Sequence, residues 1–535
     1  MSSNRPGPPE AAEEEIAPVS RPVKVVFYGL LITTFMAMMD QAIVATAGPT
    51  IAGKLGGMDI YAWVFVAYML SFSIVMPVYG KMGDLFGRKP VFTFSIVTFL
   101  IGSAACGLAQ SMGQLIVFRV VQGIGGGGLA VLAMAIIGEL LEPRQRARYQ
   151  GLFTAVFTVA SVAGPVVGGL VTEAFGWRWV FFINLPVGIG ALVVISSFLQ
   201  LPRREGPRSK IDVPGILLLA AALTCLVLVT TWGGSRYDWT SGRILALEAG
   251  ALVSVVAWLI VEATVAEPII PLRLFGDSTF TISNVVALLS SLALFGAINF
   301  LPLFLQLVSG VTVAYSAILM IPALLGMMIA SLVAGQVIFK TGRYKWFPAA
   351  SMGCGTVALL LLSTLTADLN VWVIGGYLVL LGVAAGLSQQ TVTVAAQNTA
   401  PPRDFGVVTS TVSLSRNVGA LFGNAIFGAI LTARLTVELP RHVPDGAGFS
   451  SADIAHLSPD DLNRLSDRVL NGLAEAYSAS LSTVFLYSVP VMVVGFAVSL
   501  LMKNLPLQKR GFGPGGRGRG GGRPPAVTAA EKGRA

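Results

Sequence analysis

The chain carries about fourteen separate apolar runs, each near the ~20 residues that an α-helix needs to cross a bilayer. They fall near 25–48, 60–80, 91–109, 113–137, 148–170, 180–200, 212–232, 244–263, 279–303, 313–338, 348–366, 370–393, 405–431 and 479–502. In hydrocarbon every backbone N–H and C=O must bond within the protein, which leaves spanning helices or a closed barrel. The runs lack the two-residue alternation of a barrel strand. The expected fold class is therefore an all-α polytopic membrane protein. Composition agrees: of 535 residues, 54% are hydrophobic and 12% charged, and mean hydropathy is +0.75. A soluble protein of this length would carry about a quarter charged residues.

Lys and Arg counts orient the spans. With both termini placed in the cytoplasm, the short inner loops hold fifteen of them, among them Lys81, Arg88, Lys89, Arg144, Arg273, Arg343 and Arg403. The short outer loops hold four: Lys54, Arg178, Arg236 and Arg243. That asymmetry is the positive-inside pattern of an inner-membrane protein, and it accounts for the net charge of +9 without nucleic acid. Cys106, Cys225 and Cys354 each lie inside an apolar run and suit neither a disulfide framework nor a metal site. No GxxxxGK[ST] phosphate loop occurs, and neither histidine falls in a span. An ATP-driven pump is excluded, and a membrane-embedded enzyme becomes a remote alternative. No cofactor and no metal are expected.

The expected organisation has five parts. Residues 1–24 form a disordered cytoplasmic tail with no cleavable leader, and 25–200 form a six-helix bundle. Residues 201–278 form a linker with two extra spans, and 279–502 form a second six-helix bundle with one long outer loop at 432–478. Residues 503–535 form a disordered Gly/Arg-rich tail, for which contact with anionic lipid is favoured over RNA. In the outer loop, Ser458-Pro459-Asp460-Asp461 reads as a helix start. Leu462, Leu465, Val469 and Leu473 then recur at helical spacing. A buried repeat relates the halves: Gly80, Asp84, Gly87, Arg88 and Lys89 after span 2 match Gly335, Phe339, Gly342, Arg343 and Lys345 after span 10.

A charge within a span is costly and by default functional. Asp40, Arg119 and Arg416 stand out. Asp40 lies about 24 Å along its helix and Arg119 roughly 9 Å in from the outer face, so the two share a depth. Two readings fit: a proton-carrying carboxylate partnered by an arginine, or a static ion pair joining two helices. Gly123, Gly125 and Gly128 match a dinucleotide fingerprint only formally, because they lie mid-span with no strand before them. Close approach to a neighbour or ligand is the better account. In span 5, Ala160, Gly164 and Gly168 recur four apart beside Pro165 and Gly169, which suits either a close helix contact or a conformational role.

These residues carry a resemblance. Asp40 to Ile51 resembles the first-helix signature of the 14-span drug:proton antiporter family of the major facilitator superfamily. Gly80 to Lys89 resembles the superfamily's loop after helix 2, and Arg119-Val120-Val121-Gln122-Gly123 its helix 4 motif. Gly164-Pro165-Val166-Val167-Gly168-Gly169 resembles the antiporter motif of helix 5, and Trp177 to Pro186 the family's entry to helix 6. Gly48 departs from the pattern, where a larger apolar residue is usual, and would loosen helix 1. The resemblance runs from about Val25 to Met502. It implies a major facilitator fold of two six-helix bundles that rock around a central cavity, with the two extra helices between them. It implies proton coupling by Asp40 and Arg119. It also implies an inner conformational latch built from Gly80, Asp84, Gly87 and Arg88.

The expected function is a proton-driven antiporter that exports amphipathic or cationic drugs across the cytoplasmic membrane. The alternative cargo is a lipid, a siderophore or an endogenous secondary metabolite. The expected partners are a small amphipathic substrate, protons and the bilayer, with no nucleic acid, and the expected state is a monomer. Gln306, Gln389, Gln390, Arg416, Asn284 and Asn299 are candidates for a substrate cavity, and for the five amides helix–helix hydrogen bonding is the competing role.

Overall fold

The computed structural model describes residues 20–57, 60–201, 211–234, 236–309, 316, 318–366, 369–443 and 466–507. Among them it is all helical. In chain order the helices are α1 (Arg21–Leu55), α2 (Trp63–Phe86), α3 (Arg88–Leu108), α4 (Met112–Leu140), α5 (Pro143–Phe175), α6 (Trp179–Phe182), α7 (Asn184–Phe198), α8 (Val213–Trp232) and α9 (Gly242–Thr264). They continue with α10 (Ser278–Ser309), α11 (Ile321–Thr341), α12 (Trp346–Leu362), α13 (Val371–Thr399), α14 (Phe405–His442) and α15 (Asp467–Leu500). The short α6 and α7 together make one span, so among the described residues thirteen helices are long and apolar enough to cross a membrane. The fourteenth expected span is α12, whose 17 residues lie at the short end of the spanning range.

Local chemistry sets several boundaries. Ser111, Asp212, Ser241 and Asn370 cap α4, α8, α9 and α13 through their side chains, each accepting from a backbone N–H two or three residues on. Pro22 and Pro143 stand in the first turns of α1 and α5, where a missing N–H costs nothing. Gly87 ends α2 with φ +91°, a conformation that favours glycine, and lets the chain reverse directly into α3.

Three apolar clusters hold the halves, two in the first and one in the second. Most of the core between Val26 and Leu199 is shared among α1 to α7, and a larger cluster joins α10 to α15. The two extra helices lie beside this pair. Leu219 and Leu223 of α8 pack with Ile269, Ile270 and Leu414 of α14, and with Leu70 and Ile74 of α2, so α8 covers the seam between halves. On α9 only Ile244 and Glu262 are fully buried; Trp258 packs against the α8 cluster, while Leu245, Leu252, Val253, Val256 and Ile260 face outward, as a lipid-facing helix requires.

Three expectations change. The first helix starts at Arg21, four residues before the expected span. The outer loop is shorter than 432–478, because α14 runs on to His442 and α15 begins at Asp467. Both extensions are polar enough to have escaped a hydropathy reading yet continue the helical hydrogen bonding. Val469 and Leu473 lie in α15 itself, while Ser458 to Asp461, Leu462 and Leu465 fall outside the described residues. The tails and the 202–210 segment also lie wholly or mostly outside them. Finally, Gly48 does not loosen α1, which is continuous through it: a Cβ there would overlap the Tyr61 hydroxyl, so the glycine makes room for that ring. Burial pushes the Tyr61 hydroxyl up to about 12, and it stays protonated.

Candidate functional site

Asp40 and Arg119 meet. Neither side chain has any exposed surface, and Arg119 Nη1 donates to Asp40 Oδ2 at 2.5 Å. The other carboxylate oxygen, Oδ1, accepts from Gln122 Nε2 and from Asn184 Nδ2, each at 2.8 Å. Helices α1, α4 and α7 thus converge on one carboxylate. Arg119 is fixed in turn: Nε donates to the Val64 carbonyl at 3.3 Å, Nη1 also donates to Gln122 Oε1 at 2.8 Å, and the guanidinium lies 4.1 Å over the Tyr68 ring. Its Nη2 is buried with no hydrogen-bond partner among the described residues. Asn184 Nδ2 also donates to Ser103 Oγ at 3.0 Å, and Ser103 donates to the Phe181 carbonyl at 2.8 Å. A buried charge pair survives where its remaining bonds are made, and removing one partner typically costs about 3–5 kcal/mol.

The pair was legible from depth, but its clamp was not. Gln122 stands three residues after Arg119, on the same helix face, and Asn184 is a lone amide at the entry to span 6. Those two signals were available. Tyr68 and Ser103 offered none, because a single tyrosine or serine in a span reads as ordinary packing.

A second constellation joins the halves at the end of the bundle where the basic loops cluster. Asp84 Oδ1 accepts from the Gly406 N–H at 3.1 Å and Oδ2 from the Val407 N–H at 2.9 Å, so a carboxylate of α2 caps the start of α14 in the other half. Arg88 Nη2 donates to Asp84 Oδ1 at 2.9 Å. Its Nη1 reaches the Ala135 carbonyl at 2.7 Å and Glu139 Oε2 at 2.8 Å. Gly80 lies against Gly406 and Ser410, and Gly87 supplies the reversal already described. Phe405 is flanked by two guanidinium groups, Arg146 at 4.7 Å and Arg88 at 5.9 Å from its ring centre. Gln397 Oε1 of α13 accepts from Gln150 Nε2 at 3.2 Å and from Arg146 Nη1 at 3.4 Å. These last contacts had no signal in the sequence.

The repeat's second copy makes the mirrored crossing without the carboxylate. Gly335 of α11 abuts the Ala147 carbonyl of α5, where a Cβ would come within 2.7 Å, and Phe339 lies 5.6 Å from the Arg148 guanidinium. In the span 5 motif, Gly164 and Gly168 face Ala42, Ile43 and Thr46 of α1. Pro165 is partly exposed within an unbroken helix, and Gly169 is exposed with no neighbour near its Cα, so Gly169 takes no part in the contact.

The six cavity candidates are only partly brought together: Arg416 meets Gln389, and Asn284 meets Ser415, the neighbour of Arg416, while Asn299 and Gln306 lie farther along α10. Asn284 donates to the Phe280 carbonyl and accepts from Ser415, and Asn299 donates to Asn424. Gln306 donates to Ser316, and Gln390 to the Ser331 carbonyl. Along α10, Asn299 and Gln306 stand about 22 Å and about 33 Å from Asn284. Four of the five amides therefore make helix contacts. Gln389 differs: its carbonyl accepts from Arg416 Nη2 at 2.6 Å. No group of three His, Cys, Asp or Glu among the described residues is placed to hold a metal.

Known proteins match along most of this length. The chain is 39% identical over 495 residues to an uncharacterized MFS-type transporter of Mycobacterium tuberculosis, covering 92% of this chain and 71% of that one. It is 35% identical to the multidrug transporter protein MdtP of Bacillus subtilis, covering 90% and 93%. It is 31% identical to the acurin A biosynthesis cluster MFS-type transporter of Aspergillus aculeatus, covering 93% and 92%. Among solved structures, the proton:xylose symporter XylE superposes with a TM-score of 0.58 at 12% identity, over 91% of this chain and 97% of that one, which establishes the shared fold. The sequence model of the Major Facilitator Superfamily matches residues 30–424, and together with these relatives it shows that the chain, a multi-pass membrane transporter, belongs to the Major Facilitator Superfamily.

Proposed function

We propose that this transporter is a proton-driven antiporter that exports amphipathic compounds across the cytoplasmic membrane, with both termini inside. The observation that carries this is the Asp40 site: a sealed carboxylate whose two oxygens are held by Arg119, Gln122 and Asn184. A proton arriving from outside neutralises Asp40 and removes the charge that holds Arg119 and the two amide donors. The pair loosens, and α1, α4 and α7 are free to shift relative to one another. Release of that proton inward restores the clamp. Substrate and proton then favour different states of one equilibrium, which is how antiport is coupled.

The second half of the cycle runs through Asp84. With its carboxylate on the α14 N-terminus the halves are joined at the basic end, so this conformation is closed toward the cytoplasm and Asp84 has to leave Gly406 and Val407 before substrate enters from that side. Amphipathic drugs are the favoured cargo, in line with the Bacillus relative MdtP, which is named as a multidrug transporter. Export of a self-made secondary metabolite is the second reading, favoured by the relative named for a biosynthesis cluster. A cationic cargo gains no support from Asp40, whose oxygens are already committed.

The experiment is uptake of fluorescent amphipaths into inverted vesicles under an imposed pH gradient. Accumulation that collapses when a protonophore is added supports the reading. Accumulation that continues unchanged contradicts it.

A further inference from the structure

Among the described residues Arg416 has no acid to pair with. Arg119 faces Asp40, and Arg88 faces Asp84 and Glu139, but among the described residues no carboxylate lies within ion-pair distance of Arg416. Its one hydrogen bond there is from Nη2 to the Gln389 carbonyl at 2.6 Å. A guanidinium carries five N–H donors and does not lose its charge in a protein. The side chain is only partly buried, so those donors are not sealed in the core.

Position makes the missing acid matter. Arg416 stands eleven residues into α14, about 16 Å from its start, near the middle of a ~30 Å hydrocarbon core. An uncompensated charge at that depth is expensive and marks a ligand or ion path. The positions on either side of it make neutral polar contacts. Ser415 donates to Asn284 at 2.9 Å, and Asn417 donates to Ser73 Oγ of α2, in the other half, at 3.3 Å. Arg416 reaches α13 on one side while its neighbour Asn417 touches α2 on the other, so the charge sits where the two halves meet. Across that seam Asp40 is buried and fully engaged, and it leaves no free negative charge to balance the arginine.

We propose that Arg416, held against the Gln389 carbonyl, receives the acidic headgroup of the transported amphipath. The cargo class then includes single-chain carboxylates, sulfonates and phosphates whose apolar tail packs along the seam. This deepens the export reading and rests on it. The same headgroup chemistry exists in anionic phospholipid, and the proposal commits to the transported amphipath as its source.

The test uses the full chain in phosphatidylcholine vesicles and two probes with the same body, dansyl-undecanoic acid and its carboxamide, above the carboxyl titration range. The wild type binds the acid about tenfold more tightly than the amide, as one charge-assisted contact predicts. Arg416→Gln brings the acid to the amide's affinity and leaves amide binding within about twofold, while Arg416→Lys keeps part of the preference. Equal affinities in the wild type overturn the proposal with no variant needed, and so does an acid preference that survives Arg416→Gln. Loss of the preference when phosphatidylglycerol replaces part of the phosphatidylcholine makes a lipid headgroup the ligand and overturns the cargo assignment. Amide uptake driven by a pH gradient separates the two readings. If the amide is transported but the acid is not preferred, the Arg416 inference alone fails. If neither probe responds to the gradient, the export reading fails on its own terms.

Discussion

Gly80 of α2 and Gly406 of α14 lie face to face across the junction of the two halves, and neither leaves room for a side chain on the other. A Cβ on Gly80 would come within 2.6 Å of the Gly406 carbonyl oxygen and 2.8 Å of Ser410 Cβ, and a Cβ on Gly406 would strike the Gly80 carbonyl and the Asp84 carboxyl. The obstacle is backbone, which cannot rotate away. Gly80→Leu should therefore prevent closure at the basic end. Overpacking of 1–3 kcal/mol corresponds to about a fivefold to hundredfold loss of the closed state. Cross-linking of cysteines placed at 150 and 397, whose side chains touch across the halves at the same end, should fall accordingly, with the protein still in the membrane. Undiminished cross-linking would show that the crossing opens without this contact.

Asp84 adds charge to that fit. Its carboxylate accepts two N–H groups at the start of α14 and pairs with Arg88. Asp84→Asn keeps the shape but removes the negative charge at a helix N-terminus, worth about 1 kcal/mol, or about fivefold in population. Spin labels at the exposed positions 86, at the end of α2, and 403, just before α14, should report a longer distance in a larger fraction of molecules. A distance distribution identical to the wild type would remove Asp84 from the account.

Asn184 is tied to the proton site more directly than Ser103. Asn184 touches Asp40 itself, while Ser103 reaches it only through Asn184. A hydrogen bond to a charged group is worth about 1.5–3 kcal/mol, roughly tenfold to a hundredfold. Asn184→Ala should slow gradient-driven export by at least about tenfold and Ser103→Ala by much less. Equal losses in the two variants would mark the cluster as packing alone.

How much of this was readable beforehand differs from site to site. The spans were legible because bilayer thickness fixes their length, and Asp40 and Arg119 were legible because a charge at depth is rare. The ends of α14 and α15 were not, because residues 432–442 and 467–478 are polar enough to read as loop while the helical bonding continues through them. The inner junction was half legible. Gly80, Asp84, Gly87 and Arg88 formed a recognisable array, yet their partners Gly406 and Val407 offer only backbone N–H groups, and a backbone donor has no sequence signature. Most of the amides expected to line a cavity are engaged with protein groups instead, for a physical reason. Amides in spans more often satisfy one another than a ligand, as Asn299 with Asn424 and Gln390 with the Ser331 carbonyl do here.

The central claim is that Asp40 carries the proton, and Asp40→Asn tests it most directly. The substitution keeps the shape and the hydrogen bonds to Gln122 and Asn184 within reach but removes the group that titrates. It also leaves Arg119 without its counter-charge, a cost of about 3–5 kcal/mol, so folded protein in the membrane has to be quantified first. The measurement is substrate accumulation in vesicles under an imposed pH gradient, with proton movement followed in parallel. The account predicts that Asp40→Asn at normal abundance builds no substrate gradient and releases no protons on substrate addition, while Asp40→Glu retains part of both. Folded Asp40→Asn protein that still builds a substrate gradient from a pH gradient would contradict the account and assign the proton to another acid.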